Sequence, residues 1–411
     1  MALEFGEHRA RPSCPLRVAV IGGGIGGLAT AAFLDRAAIE VTVFEQAPVL
    51  TEVGAGLVVS PNAVRLVRRL GQFDRFRERA VALRVGWEFR RWQDGQVLFS
   101  QQLGTECERR YGEQCYVTHR ADLLDAVRAA VPQSSLRLGH RLVSLRSPSP
   151  EGVELTFADG TQATADVVVG ADGLHTAVGQ YVAQAGAPRF SEMCAYRCLV
   201  PARWAPAFAL RPAQTLWLGP DHHLVHYPIC GGEVVNVVAF APARDWKVES
   251  WSAEGRIEDL RAEFAGWSDQ LTALLAAADE TGRWALLDRD PLPSWTQGPV
   301  ALLGDAAHPM FPFFAQGAAQ AIEDAVVIAG CLAEQCADPP AALERYERIR
   351  RPRATRLQEL SRGRQESNHL PDGAAQRARD ASFASEDPLA HNGWIYGHDA
   401  ELDLLGGDVR P

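Results

Sequence analysis

The sequence predicts an α/β protein in which a parallel, helix-flanked sheet is combined with a second sheet of mixed or antiparallel strands and with helices near the carboxyl end. Three observations predict this class. The run at residues 17–21 is short, apolar and rich in β-branched residues, and a glycine cluster and a helix-forming stretch at 28–36 follow it. Short alternating runs between residues 181 and 290 are typical of antiparallel strands. The stretches 317–333 and 345–360 have a helical pattern.

The length of 411 residues suggests two or three domains, at roughly 100–200 residues each. We expect residues 1–180 and 291–360 to form one domain in two parts, and residues 181–290 to form a separate sheet domain that covers it. Residues 361–411 are expected to form a loosely ordered tail, because residues 361–391 are polar and poor in large apolar side chains.

Five further elements follow from local patterns. Three strands and two helices are predicted from apolar runs and from helix-forming composition. The strands are 41–44, 166–170 and 299–303, and the helices are 121–130 and 259–277.

Composition narrows the choice of partner and compartment. A formal net charge of −10 argues against nucleic acid and against an anionic membrane as partner. No run approaches the roughly 20 apolar residues of a membrane helix, and residues 1–15 lack the apolar centre of a signal peptide. The eight cysteines form no CxxC pair, so we expect reduced thiols, a cytoplasmic protein and no metal. Cys194 and Cys198 are expected to pack rather than to ligate zinc.

The segment 22–27 contains the pattern GxGxxG directly after the first strand. Gly22 permits a tight turn, Gly24 lets the backbone approach a pyrophosphate, and Gly27 permits close packing of helix on strand. The helix N-terminus then presents N–H groups to phosphates. Glu45 ends the second strand, where an acid binds a ribose hydroxyl. The pattern predicts a Rossmann-like dinucleotide site; the alternative is a Gly-rich turn in an ordinary α/β domain.

Two later segments also place polar groups at strand ends. Asp172 follows a buried strand within Gly-Ala-Asp-Gly, a pattern that by itself favours a simple Asx turn. Asp305 follows another strand, where it could accept from a ribityl hydroxyl. Gly317 and Ala318 open a helix whose free N–H groups could stabilise negative charge on a reduced ring system. His308 is expected to make a structural hydrogen bond.

These three motifs, in this order and at these separations, resemble those of the group A flavoprotein aromatic hydroxylases. The similarity is strongest to the branch with salicylate hydroxylase, 3-hydroxybenzoate 6-hydroxylase and 6-hydroxynicotinate 3-monooxygenase. It extends from residue 18 to about residue 360, with a further match at 394–399. Other matching segments are 44–48, 54–57, 60–63, 119–123 and 316–324.

The resemblance implies non-covalent FAD, with NADH or NADPH as co-substrate. Arg120 would reach the flavin side chain or the pyrophosphate, and Asp172 would serve FAD and NAD(P)H together. No second dinucleotide domain is visible, so the nicotinamide would dock transiently. The cofactor-binding residues that the resemblance implies are Gly22, Gly24, Gly26, Gly27, Glu45, Gln46, Val58, Arg120, Leu142, Asp172, Asp305, Gly317 and Ala318.

The resemblance also implies a reaction: reduction by NAD(P)H, capture of O₂ at the C4a position of the flavin, and oxygen transfer to a small phenolic or aromatic-acid substrate. A phenol becomes more nucleophilic when a base such as histidine removes its proton. His223 and Tyr227 would share one face of a strand, and with Pro312, which the resemblance places near the reactive edge of the flavin, they are the candidate catalytic residues. The alternative is an edge strand with solvated histidines and a core tyrosine; zinc there lacks a Cys or acid ligand.

Two departures from the family pattern bear on specificity. Val58 stands where the hydroxynicotinate enzymes carry a histidine base, which speaks against that substrate. Gly179 stands where many relatives have arginine, which puts a nicotinamide contact or an interdomain bond in doubt. The Arg-rich stretch 345–364 is interpreted as a solvated face rather than as a site for NAD(P)H or an acidic partner.

Two other functions fit the same motifs. One is an epoxidase or tailoring oxygenase that acts on a larger conjugated substrate. The other is a flavin-binding protein without hydroxylase activity. Either a monomer or a homodimer is compatible with the sequence.

Overall fold

The computed structural model describes residues 16–50, 56–149, 152–244, 254–385 and 387–406. The predictions for residues 1–15 and for residues 54 and 55 of the matching segment 54–57 lie outside the described residues. The strands within the described residues are β1 Arg17–Ile21, β2 Glu40–Glu45, β3 Gly56–Val59, β4 Val81–Ala82, β5 Gly86–Arg91, β6 Val97–Gln101, β7 Tyr116–His119, β8 Leu136–Leu138, β9 Leu142–Ser149, β10 Gly152–Phe157, β11 Gln162–Ala165, β12 Val167–Gly170, β13 Arg189–Pro201, β14 Ala213–Gly219, β15 His222–Ile229, β16 Val234–Pro242, β17 Glu254–Gly255, β18 Thr281–Asp288, β19 Thr296–Gln297 and β20 Val300–Leu302.

The helices alternate with these strands in the first half of the chain and dominate its last quarter. Short 3₁₀ turns at Gly304–Ala306 and Pro312–Phe314 lie between the last strand and the long helices. The α-helices within the described residues are α1 Ile25–Arg36, α2 Pro61–Arg69, α3 Phe73–Arg79, α4 Gly104–Tyr111, α5 Arg120–Arg128, α6 Ala177–Ala183, α7 Ile257–Glu263, α8 Asp269–Ala276, α9 Gly317–Glu334, α10 Pro339–Asn368, α11 Ala374–Ser385, α12 Pro388–His391 and α13 Gly393–Tyr396.

A six-stranded sheet in the order β19-β20-β12-β1-β2-β8 forms the centre of the first domain. Its neighbours pair in parallel except for the short edge pair of β19 and β20. The predicted strand–turn–helix–strand unit is confirmed as β1, α1 and β2. Because the strands are parallel, the loops that follow β1, β12 and β20 meet at one edge of the sheet, where ligands of such sheets bind.

Helix α1 is buried along most of its length, from Ile25 to Leu34. Its small residues let it approach the sheet on one side and α9 on the other: a Cβ on Gly26 would lie 2.8 Å from Leu303 Cδ1 and 3.0 Å from Ala321 Cβ. Helix α9 is equally enclosed, because 14 of its 18 residues are buried. The two helices therefore hold the first and third sequence motifs together.

The second sheet has eight strands in the order β17-β18-β13-β16-β15-β14-β5-β6. It is mixed, because β14 and β5 are parallel and the other pairs are antiparallel. Strands β5 and β6 come from the part of the chain before residue 181, which the sequence analysis had placed in the first domain. One face of this sheet packs against α7 and α8 and contains the buried Cys194 and Cys198. The opposite face contacts Phe311 and Phe313, next to the first domain.

The prediction of one continuous helix at residues 259–277 is wrong. Two helices, α7 and α8, occupy this segment. Gly266 lies between them with φ +80°, a conformation that glycine adopts readily and other residues avoid.

The prediction of a loosely ordered tail is also wrong for the described residues. Helix α10 continues to Asn368, and α11 to α13 follow it. A few well-placed aromatic side chains hold these helices: Phe383 stacks on Phe89 with 4.7 Å between ring centroids, and Tyr396 is buried against Tyr111 and Trp87. Although the composition of this segment is polar, a small number of aromatic contacts is enough to pack its helices against the rest of the protein.

The interpretation of the Arg-rich stretch 345–364 as a solvated face is wrong in part. Arg350 is fully buried, and its guanidinium binds Glu323 at 2.7 Å and Asp324 at 2.8 Å. Arg353 also binds Glu323, at 2.9 Å. Because buried charges need partners, α10 places these cations where α9 supplies the anions. None of the described helices combines the length and apolar character needed to span a membrane.

Candidate functional site

The loop after β1 has the geometry that the glycine pattern requires. Gly22 adopts φ +111°, and a Cβ there would lie 2.3 Å from the carbonyl oxygen of Ala171. A Cβ on Gly27 would lie 2.0 Å from the carbonyl oxygen of Gly22. Gly24, by contrast, has no heavy atom within 4 Å of its Cβ position, and it caps the N-terminus of α1. The loop is therefore closed on the protein side and open on the outer side at Gly24.

Glu45 lies at the end of β2, beside this loop. Its two carboxylate oxygens accept hydrogen bonds from Gly23 N at 2.6 Å and from Ala47 N at 2.7 Å. A carboxylate offers about four lone-pair positions, so this partly exposed side chain can still accept from a ribose hydroxyl. The neighbouring Gln46 is exposed.

Asp172 follows β12 and is already engaged by the protein. It accepts from Thr176 Oγ1 at 2.6 Å and from the backbone N–H groups of Ala177 at 2.7 Å and Val178 at 3.2 Å. Burial raises its pKa despite these hydrogen bonds. The carboxylate thus binds the first turn of α6 and does not form the simple Asx turn that Gly-Ala-Asp-Gly by itself favours. The backbone of Gly173 stays open, with φ +76°.

Asp305 follows β20 and is exposed. It lies in the 3₁₀ turn Gly304–Ala306, which is anchored because Gly304 N donates to Asp324 at 3.0 Å. The hydrogen bond expected of His308 is present, since its Nε2 lies 2.6 Å from the same Asp324 carboxylate. The protein interior therefore fixes the turn and leaves the Asp305 carboxylate directed away from the core.

The residues at the same edge of the sheet fit an FAD molecule. Gly24 and Gly317 both begin helices, and neither has a heavy atom within 4 Å of its Cβ position. Ala318 is partly exposed in the first turn of α9, and Arg120 is partly exposed at the start of α5. Helix N-termini, an arginine and two carboxylates supply the donors and acceptors that phosphates and ribityl or ribose hydroxyls need.

Two of the predicted cofactor residues are apolar and largely buried. Leu142 is 8% exposed at the start of β9, in the core of the first domain. Val58 is also 8% exposed, in β3, and belongs to the same apolar cluster as Tyr227. Such side chains can contribute only apolar contact to a cofactor.

Strand β15 places His223 and Tyr227 on the face of the mixed sheet that is turned toward the first domain. It lies between β14 and β16, so the alternative of an edge strand with solvated histidines is wrong. His223 is 2% exposed and Tyr227 is 4% exposed. Burial raises the pKa of Tyr227, which therefore keeps its phenolic proton at neutral pH.

Tyr227 contacts the first domain through Gly56 of β3. A Cβ on Gly56 would lie 2.6 Å from Tyr227 Cε2. The Asn236 side chain, opposite Tyr227 in the sheet, accepts from Gly56 N at 2.9 Å. This glycine permits the close approach of the two domains at the predicted pocket.

Arg197 is a charged residue on the same face that the sequence analysis did not single out. It pairs with Val238 on β16, which pairs with Val225 on β15, and directly opposed residues share a face. Its guanidinium lies 4.2 Å from the ring centroid of Trp284. Burial lowers the pKa of Arg197 to about 10. The available signal was a single charged residue within the apolar run 193–201.

His223 has a second unexpected neighbour, His369. Its Nδ1 lies 2.6 Å from His369 Nε2, and its ring stacks on Phe240 at 4.3 Å. His369 caps the C-terminus of α10, in the segment interpreted from sequence as a loose tail. The carboxyl-terminal helices therefore complete one wall of the predicted pocket.

Pro312 is exposed and begins the 3₁₀ turn Pro312–Phe314. Phe311 before it is buried against the mixed sheet, and Phe313 after it lies 5.2 Å from His223. This turn connects the Asp305 segment to the start of α9. It thus lies between the cofactor edge of the first domain and the inward face of the mixed sheet.

At Gly179 the structure leaves little room for a side chain. A Cβ there would lie 2.4 Å from Thr176 Cγ2. Thr176 is occupied in bonding both Asp172 and Gly179 N.

Comparison with known proteins agrees with this geometry. Residues 15–361 match the sequence family described as FAD binding domain. The chain is 43% identical over 384 residues to a 3-amino-4-hydroxybenzoate 2-monooxygenase of Streptomyces platensis. The aligned region covers 93% of this chain and 96% of the relative. It is 34% identical over 420 residues to a salicylate hydroxylase of Pseudomonas putida, with coverage of 96% and 95%. A solved salicylate hydroxylase substrate complex superposes with a TM-score of 0.81 at 30% identity, with coverage of 95% and 98%.

The fold and the site define a flavoprotein, and the chain belongs to the FAD binding domain family. It is an FAD-dependent monooxygenase of the aromatic hydroxylase type, with NADH or NADPH as co-substrate.

Proposed function

We propose that the protein hydroxylates a phenolic aromatic acid, and that a 3-amino-4-hydroxybenzoate is the first substrate to test. The observation that carries this proposal is the shared inward face of β13 and β15, which presents the cation Arg197 together with His223 and Tyr227. A carboxylate and a phenol at opposite ends of one ring match a cation and a histidine–tyrosine pair. The substrates for which the relatives are named, an aminohydroxybenzoate and salicylate, each combine a carboxylate with a phenol.

FAD, when bound and reduced, supplies the activated oxygen for the reaction, since protein side chains cannot activate O₂. The chain's own residues have other tasks. The glycine loop, Glu45, Arg120 and Asp305 hold the cofactor, with Gly317 and Ala318 at the N-terminus of α9. We assign the nicotinamide a transient site.

The substrate side of the pocket would orient the ring and prepare it for attack. Arg197 binds the carboxylate, and its low-polarity surroundings strengthen that ion pair. His223 accepts the phenolic proton, and Tyr227 donates a hydrogen bond to the resulting oxyanion, because its own pKa is raised by burial. Phe240 and the turn at Pro312 exclude water from the ring.

The apolar Val58 beside Tyr227 supports a benzoate rather than a hydroxynicotinate. A histidine at this position would add a second base to the pocket. The valine instead leaves His223 as the base that this proposal requires.

A ligand panel tests the proposal. The purified flavoprotein is mixed with NADH or NADPH and with 3-amino-4-hydroxybenzoate, salicylate, 3-hydroxybenzoate or 6-hydroxynicotinate, and with 2-aminophenol as the matched ligand without a carboxylate. We expect an aromatic acid to stimulate nicotinamide oxidation and to yield a hydroxylated product, and 2-aminophenol to do so far less. Oxidation without product for every ligand would instead support the flavoprotein without hydroxylase activity.

A further inference from the structure

The contact between His223 and His369 joins the interior of the predicted pocket to the protein surface. His223 is 2% exposed, between Phe240 at 4.3 Å and Phe313 at 5.2 Å. His369 is only partly buried, at the end of α10. The 2.6 Å contact between their ring nitrogens is therefore a hydrogen-bonded path from a buried position to one that solvent reaches.

A hydrogen bond between two neutral imidazoles contains one proton. The choice of donor therefore determines which of the remaining ring nitrogens carries a proton. If His223 donates from Nδ1, its Nε2 has a free lone pair and is the basic atom. Burial lowers the pKa of His223 well below its ordinary value and lowers that of His369 to about 4. Both rings are then neutral at neutral pH, which is the state in which such a pair can relay a proton.

We propose that His369 is the outer member of a two-histidine proton relay that ionises the substrate phenol. The substrate O–H bond breaks as its proton binds His223 Nε2. The Nδ1 proton of His223 passes to His369 Nε2. His369 then releases to water the proton that it carried on Nδ1. The net change is one phenol converted to phenolate and one proton in solvent, and the reverse sequence returns a proton to the product and restores both tautomers. This relay rests on the proposed function, because it needs a phenolic substrate.

The surroundings of the pair leave this route clear. His222, on the opposite face of β15, has both ring nitrogens engaged, by the Pro220 carbonyl at 2.9 Å and by Glu263 of α7 at 3.0 Å. Glu263 is in turn bound by Arg244 at 3.2 Å.

Two other charged residues lie close to the pair along the chain. The Asp221 side chain is exposed, and only its backbone N–H contacts His369, at the carbonyl oxygen. Arg364 of α10 lies over Phe314 at 4.8 Å. Burial is the main cause of the lowered pKa values of His223 and His369, and His222 contributes to both in the same direction.

The relay is tested by following ionisation of a bound phenol rather than turnover. The probe is 4-hydroxy-3-nitrobenzoate, whose phenolate is coloured. It is mixed with the oxidised flavoprotein in a stopped-flow spectrometer at a pH below the pKa of its phenol, so that the free probe is protonated. We expect His369→Ala and His369→Gln to slow phenolate formation at least about tenfold, with the dissociation constant of the probe within about threefold of wild type. Added imidazole should restore the rate of His369→Ala, because the open position lets it replace the ring. His391→Gln, an exposed histidine of the same carboxyl-terminal region, is the matched control.

The outcomes separate the two proposals. The relay is overturned if both His369 variants ionise the probe at the wild-type rate, or if imidazole does not restore a slowed rate. Product formation by the wild type would still uphold the proposed function in either case. Failure of the wild type to bind the probe and to hydroxylate any phenolic acid would overturn both.

Discussion

Asp324 and His308 form a buried contact, with 2.6 Å between Asp324 Oδ2 and His308 Nε2. The same carboxylate accepts from Gly304 N and from Arg350. The pair thereby fixes the turn that carries Asp305 against α9. Burial alone would raise the pKa of Asp324, but His308 and Arg350 outweigh it, and the pKa lies below its usual value.

This buried pair predicts a loss of stability in acid. A carboxylate whose pKa is lower in the folded than in the unfolded state stabilises the fold above the unfolded pKa, and this contribution is lost as pH falls toward the folded pKa. Asp324 and Glu323 both have lowered pKa values. We expect the midpoint of urea unfolding to fall steeply below about pH 4, and constant stability between pH 5 and pH 2 would contradict the network.

The variant Asp324→Asn tests the same network by removing one charge. It leaves Arg350 buried with an incomplete set of partners, so we expect a loss of about 3–5 kcal/mol in the free energy of unfolding. Asp125→Asn is the control, because its ion pair with Arg75 is more than half exposed and should change stability by less than about 1 kcal/mol. If both variants lower the free energy of unfolding equally, the buried contact of Asp324 contributes no more stability than an exposed ion pair.

Asp305→Ala should weaken FAD binding without loss of fold. An exposed carboxylate that accepts from a hydroxyl contributes about 1.5–3 kcal/mol, which corresponds to a rise of roughly 10- to 150-fold in the dissociation constant. Flavin fluorescence during titration of the apoprotein measures this constant. Asp74→Ala, with a side chain 91% exposed, serves as control, and identical FAD affinity in both variants would remove Asp305 from the cofactor site.

Arg197→Gln should raise KM for an aromatic acid by about tenfold or more, because it removes a charge-assisted contact of about 1.5–3 kcal/mol. The KM for 2-aminophenol, which has no carboxylate, should stay the same. Arg203→Gln is a matched control, since Arg203 also lies over a tryptophan, at 4.5 Å from the ring of Trp204, but is exposed. A rise in KM for both ligands would contradict the assignment of Arg197 to the carboxylate.

The sequence predicted the parts of the fold that depend on neighbours along the chain. The turn at Gly22, the acid at Glu45 and the helix after residue 316 each follow from a local pattern of glycines, apolar residues and strand ends. Their roles in cofactor binding stay predictions, and the structure shows only that they meet at one edge of the sheet.

The features that sequence analysis missed depend on contacts between distant segments. Arg197 reaches the pocket face only through pairing of β13 with β16, and His369 lies 146 positions from His223. Arg350 is buried because α9 offers it two carboxylates, 26 and 27 residues earlier. For His369 and Arg350, no local pattern distinguishes the residue from those of a polar tail or a solvated helix.

Incorporation of labelled oxygen tests the central claim most directly. The protein is incubated with NADH, 3-amino-4-hydroxybenzoate and ¹⁸O₂, and the product is analysed by mass spectrometry. The proposed function predicts a ring-hydroxylated acid that carries one ¹⁸O atom, formed in near-equal amount to the NADH consumed. NADH consumption that yields hydrogen peroxide and leaves this acid and the other aromatic acids of the panel unchanged would contradict it.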